Sequence, residues 1–180
     1  MLIDAATSLL LMIDMQERLL PAISGGNDVE RNCAILVKAA SRREAPVVVT
    51  EQYPKGLGRT VPGLSELLPA HSMMEKLEFS CARNTAIMNR LEATQRRQAV
   101  LCGVEAHVCV LQTAMDLKSR GFDVFVAIDA CGSRRDESKQ VAAVRFLAGG
   151  VSVVTTEMVV FELLETAGSP DFRELSKLIQ

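Results

Sequence analysis

Apolar and polar positions alternate along the chain in two rhythms. Short apolar runs lie at Ser8–Ile13 (SLLLMI), Val47–Thr50, Ala99–Cys102, Phe122–Ile128 (FDVFVAI) and Val151–Thr155. None is long enough for an independent helix, and such runs read as buried strands. Ser72–Lys76 adds a short third strand that ends on Lys76. Between the runs, Asn27–Glu44, Asn84–Arg97, His107–Arg120 and Asp136–Leu147 have helical character. Asn27 or Asp28 is placed to cap the first helix, Ala45-Pro46 ends it, and Gly149-Gly150 closes the helix from Asp136. One further helix runs to about Thr166 and a last one follows Pro170. In the second helix Ile87, Met88 and Leu91 point inward. In the third, Val108, Leu111 and Met115 form one apolar face, and Val110, Ala114 and Leu117 another.

Strands alternating with helices predict an α/β fold with a mostly parallel sheet covered on both faces. Ligands of such sheets bind beyond the carboxyl ends of the strands, where the strand order reverses. If the order is 3-2-1-4-5-6, strands one and four are neighbours at that point. Asp14 closes strand one, Cys109 follows strand four, and Lys76 arrives from the end of strand three. Glu51–Pro69 contains three glycines and three prolines, too many for regular structure. It reads as a long functional loop.

Composition narrows the choices. The chain has 180 residues, 48% of them apolar and 23% charged, with a net charge of −2. That suits one globular domain over residues 1–180, without a linker, repeat or low-complexity segment. Nothing here is basic enough for nucleic acid, and Arg42-Arg43 and Arg96-Arg97 read as solvated faces. No apolar run approaches the roughly 18 residues of a membrane span. The start, Met1-Leu2-Ile3-Asp4, lacks the charge pattern of a secretory signal. Five scattered cysteines (33, 81, 102, 109 and 131) form no C-x-x-C pair. They argue against disulfides and structural zinc, and for a reducing, cytoplasmic setting.

Cys109 falls in the first turn of its helix, where free backbone N–H groups and the positive dipole end favour an anion. A thiol there is expected to ionise more easily, near neutral pH; the alternative is a small buried hydrophobe. A nucleophilic cysteine needs a base. Neither histidine is well placed: His107 lies two residues away, off the face of Cys109, and reads as a cap or a solvated ring. His71 reads as a surface or packing residue. Asp14 is the better proton acceptor, with Lys76 holding both anions charged. Backbone N–H groups of the Gly103–Cys109 turn are candidates for an oxyanion hole. The competing reading makes Asp14 a strand-end turn residue and Lys76 a solvated side chain.

Three segments carry a resemblance: Asp14-Met15-Gln16, Lys76-Leu77-Glu78-Phe79-Ser80, and Gly103-Val104-Glu105-Ala106-His107-Val108-Cys109-Val110. Together they resemble the isochorismatase-like cysteine hydrolases, over nearly the whole chain and through Asp129-Ala130. Thr50-Glu51-Gln52-Tyr53-Pro54-Lys55-Gly56-Leu57-Gly58 is similar to the branch called isochorismatase domain-containing proteins. The resemblance implies a three-layer sandwich around a six-stranded parallel sheet and a catalytic triad of Asp14, Lys76 and Cys109. It implies hydrolysis of a small amide-like C–N bond through a thioester on Cys109. It further implies a cis peptide between Val104 and Glu105, with the N–H groups of Glu105 and Cys109 as oxyanion hole. Gln16, Tyr53, Phe79 and Ala106 are candidate pocket residues, and Asp129 caps a turn beside the site.

Two departures stand out. Ala106 replaces a threonine common in the family. The loop after strand two has Glu51-Gln52-Tyr53 where nicotinamidases of the family carry an Asp-x-His metal pair, so no metal or other cofactor is expected. The expected partners are a small-molecule substrate and further copies of the chain in a homo-oligomer, without nucleic acid or membrane. Two alternatives stay open: an ether hydrolase of the isochorismatase type, which needs no thiol, and a non-catalytic protein with Cys109 as an oxidisable thiol.

Overall fold

The computed structural model describes residues 1–68 and 72–179; His71 lies outside them. Six strands, β1 (Ser8–Ile13), β2 (Val47–Gln52), β3 (Met73–Lys76), β4 (Gln98–Val104), β5 (Asp123–Gly132) and β6 (Ser152–Val154), form one parallel sheet in the order 3-2-1-4-5-6. The helices are α1 (Gly26–Arg42), α2 (Pro54–Leu57), α3 (Pro62–Ser65), α4 (Thr85–Ala93), α5 (Leu111–Ser119), α6 (Asp136–Ala148), α7 (Thr156–Leu164) and α8 (Phe172–Ser176).

The central strands are buried on both faces, so alternate side chains feed two separate cores. Leu10, Met12, Val49, Val100 and Cys102 pack beneath α1 and α7, against Cys33, Leu36, Val37, Val160 and Leu163. Leu9, Leu11, Val48, Ala99 and Leu101 pack on the opposite face, against Ile87, Leu91, Ala114, Leu117 and Phe146 of α4, α5 and α6. This is the expected three-layer arrangement. All five cysteines are free and buried. No helix among the described residues is long and apolar enough to cross a membrane.

Several boundaries differ from the sequence reading for local reasons. Gly25, at φ 66°, caps α1 in place of Asn27 or Asp28. The proline-rich loop contains two single helical turns, each starting on a proline, where the fixed φ and missing N–H are tolerated. β5 runs past Asp129 because its register against β4 shifts between Leu101 and Gly103. Asp129 therefore lies inside the strand, where its Oδ1 accepts from the Thr156 N–H at 2.8 Å and ties β5 to α7. The helix expected from His107 opens as a wider π turn over Ala106–Val110 before α5 begins.

Candidate active site

β1 and β4 pair directly, with Ile13 opposite Gly103. Gly103 has φ 108°, and a β-carbon there would meet the Ile13 carbonyl at 2.1 Å. Only glycine lets the two strands approach this closely. Asp14 follows immediately, at φ 55°, its N–H donating to the Thr50 carbonyl at 3.0 Å. This turn at the strand end directs a carboxylate into the crevice between β1 and β4.

Lys76 reaches that carboxylate from the end of β3. Its Nζ donates to Asp14 Oδ2 at 2.7 Å and to Gln52 Oε1 at 2.7 Å. The other carboxylate oxygen, Oδ1, accepts from Thr50 Oγ1 at 2.8 Å. Burial pushes the Asp14 pKa up against the opposing pull of Lys76 and Thr50. Burial also works against the charge on Lys76, but the anionic groups around it, Asp14 first, hold its pKa above the ordinary value.

Cys109 sits in the π turn and is almost wholly buried. Its thiol faces Asp14, and each group shifts the other's titration. The expectation of an easily ionised thiol is corrected here. Burial and the Asp14 charge push Cys109 up to about 12, and Lys76 only partly offsets them. The resting group is a protonated thiol beside a proton acceptor, an arrangement suited to proton transfer as substrate arrives.

The turn before Cys109 is built around Glu105. The Val104–Glu105 peptide is cis. The Glu105 carbonyl accepts from the N–H groups of Val108 and Val110, on either side of Cys109. Its carboxylate accepts from the N–H and Nε of Arg134, both at 3.1 Å. His107 neither caps a helix nor points freely to solvent: its Nδ1 meets Ser133 Oγ at 2.9 Å.

The candidate pocket residues separate into two kinds. Tyr53 lines an open groove of about 360 Å³ with Pro54, Lys55, Glu75, Leu77 and Glu78, and Lys76 forms part of its floor. Phe79 is exposed nearby and turns its carbonyl to Lys76 Nζ at 3.4 Å. Gln16 and Ala106, by contrast, are fully buried and are not among the residues that line this groove. The Gln16 amide donates to the carbonyls of Gln52 (3.0 Å) and Gly58 (2.7 Å) and accepts from the Gln52 N–H (2.7 Å), so it braces the loop after β2. Glu51 accepts from Arg59 Nη1 at 2.8 Å and from the N–H and Oγ1 of Thr60, an internal ion pair and capped carboxylate at the end of β2.

Three residues of the site escaped the sequence reading. Thr50 and Gln52 lie at the end of β2, in register with Ile13 and Lys76 respectively. Their signal is pairing register, which becomes readable only once the strand order is known. Cys81 is the third. Its Sγ donates to Thr50 Oγ1 at 3.8 Å, its N–H donates to Thr113 Oγ1 at 2.9 Å, and burial pushes its thiol up to about 11.

Comparison with known proteins adds a common ancestry. Residues 8–158 match the family model of the isochorismatase domain. The chain is 39% identical over 173 residues to isochorismatase domain-containing protein 2 of Danio rerio, covering 96% of this chain and 86% of that protein. Among solved structures, the MAR1 ribonuclease of Caenorhabditis elegans superposes with a TM-score of 0.94 at 35% identity, over 99% of this chain and 92% of that one. The YcaC gene product of Escherichia coli, described as an octameric hydrolase of unknown specificity, shares the fold with a TM-score of 0.88 at 24% identity, over 98% and 95% of the two chains.

Proposed function

The chain belongs to the isochorismatase family, and from that premise we propose that it is a cysteine hydrolase cleaving a C–N bond of a small amide-like molecule. The observation that carries this reading is the convergence of Asp14, Lys76 and Cys109 at one buried point, from the ends of β1 and β3 and from the turn after β4. Asp14 accepts the Cys109 proton as Sγ attacks the amide carbon. Lys76 keeps the carboxylate in place and favours the anionic thiol. The N–H groups of Glu105 and Cys109 receive the developing oxyanion. Asp14 then returns the proton to the leaving amine, and water cleaves the thioester to release the acid and free Sγ.

The ribonuclease name of the Caenorhabditis elegans neighbour raises a second reading, cleavage of RNA. The net charge of −2 favours a small molecule instead, since polyanion binding draws on clustered cations. Homo-oligomerisation is part of the proposal as well, supported by Val141, Val144 and Leu147, an apolar stripe exposed along α6.

The test is ammonia release from a panel of small carboxamides by the wild type and by Cys109→Ala. Turnover confined to the wild type is the expected result. Undiminished ammonia release by Cys109→Ala would sink the cysteine mechanism.

A further inference from the structure

Helix α6 has two faces of different character. Inward, Ala142 and Phe146 are buried in the same core as Ala106, Cys109 and Val110, so the helix backs the turn that carries the thiol. Outward, Val141 is 60% exposed, Val144 67% and Leu147 63%. Glu137, Val141, Val144 and Ala148 follow one another at intervals of four, three and four residues, and all four are exposed. That spacing makes the narrow seam along which two helices pack, rather than the broader stripe that faces a core. Gln140 and Leu147 border the seam on one side and Arg145 on the other.

The charges along this seam are placed symmetrically. Glu137 lies four residues before Val141, and Arg145 four residues after it. The two stand about 12 Å apart along the helix axis, too far to pair with each other. Among the described residues, neither takes part in an ion pair. A second copy of α6 lying parallel would set Glu137 against Glu137 and Arg145 against Arg145. An antiparallel copy, related by a two-fold axis near Val141, does the reverse. It lays the valines of the two copies together and brings the Glu137 of each to the Arg145 of the other. Opposed helix dipoles favour the same sense.

We propose that two copies of the chain associate through an antiparallel, two-fold contact between the outer faces of their α6 helices, centred near Val141 and closed by two reciprocal Glu137–Arg145 pairs. The proposal rests on the homo-oligomer reading above and names the contact that makes it. One helix face is small beside the interfaces of permanent dimers, so association through it is expected in the micromolar range.

The test is sedimentation velocity over a concentration series at low salt, for the wild type and a charge-reversal set. The wild-type mass should double as concentration rises, and the doubling should weaken with added salt. Glu137→Arg and Arg145→Glu each put two like-charge contacts into the dimer and should weaken association about tenfold or more. The double variant Glu137→Arg/Arg145→Glu restores opposite charges and should return to within about threefold of the wild type. Thermal unfolding of each variant separates loss of the contact from loss of the helix, since the double variant carries both unfavourable dipole changes and still associates. Val141→Cys gives a second readout, because the native cysteines are all buried. A short bismaleimide should cross-link it to a dimer, and should not do so for Lys38→Cys, exposed on α1. Single variants that associate like the wild type, or a double variant that recovers nothing, overturn the antiparallel pairing. So does a Val141→Cys cross-link no faster than that of Lys38→Cys. An oligomer that no variant alters overturns this contact and leaves homo-oligomerisation standing. A monomer at every concentration overturns both.

Discussion

Lys76 Nζ and Asp14 Oδ2 meet at 2.7 Å across 62 residues of chain, and both side chains are 0% exposed. Neither charge has water to turn to, so each depends on the other and on Gln52 and Thr50. Removing one partner leaves an uncompensated buried charge. Lys76→Met alone and Asp14→Asn alone should each be destabilising, by up to about 3–5 kcal/mol in urea unfolding. The double variant Asp14→Asn/Lys76→Met should recover most of that loss and remain inactive. Losses that simply add would contradict a mutually dependent pair.

Gln52 is the second support of the Lys76 ammonium, at 2.7 Å, and it is itself clamped by Gln16. Gln52→Met keeps the length of the side chain and removes the acceptor. A hydrogen bond to a charged group is worth about 1.5–3 kcal/mol, so kcat should fall about ten- to hundredfold. KM should stay near the wild-type value, because Gln52 acts through Lys76. A rise in KM with kcat unchanged would move Gln52 into the substrate pocket.

The strands were legible in the sequence, because buried parallel strands announce themselves as short apolar runs, and Asp14 and Lys76 stand where strands end. The strand order entered as a condition and through the family resemblance, and Cys109 was marked by its place at the start of a helix. The bracing role of Gln16 is not legible in the sequence, because it depends on three backbone groups brought near by the folded loop. Thr50 and Gln52 were invisible for a related reason: only register places them against Asp14 and Lys76. The state of the Cys109 thiol was misjudged because position near a helix start shows in the sequence, whereas burial and an adjacent carboxylate do not.

The pH behaviour follows from the thiols. Cys81 and Cys109 are pushed up to about 11 and about 12 from an ordinary 9.0. Groups with raised folded pKa values contribute stability that is full below the unfolded value and is lost as pH rises through the folded ones. Stability should therefore decline from about pH 9 upward, and less steeply in Cys81→Ala. Alkylation of Cys109 should climb through pH 9 without a plateau. Lys76→Ala should move the profile to higher pH and Asp14→Asn to lower pH, the signs set by the charge each removes. A wild-type plateau below pH 8 would contradict the protonated resting thiol.

Gly103 brings β1 and β4 together just before Asp14. Gly103→Ala would set a β-carbon 2.1 Å from the Ile13 carbonyl at a φ of 108°, and backbone must move to relieve it. The expected loss in thermal unfolding is about 3 kcal/mol or more, with activity reduced in the protein that still folds. Wild-type stability would mean that β1 and β4 are less closely joined than this geometry requires.

The nucleophile itself is tested most directly by catching the intermediate. Wild-type protein mixed with a turned-over amide, quenched in acid within the first turnovers and analysed by intact mass and peptide mapping, should carry one acyl group, and that group should map to Cys109. Cys109→Ala should carry none. Steady turnover with no adduct, or an adduct mapping to Cys81, would contradict nucleophilic attack by Cys109.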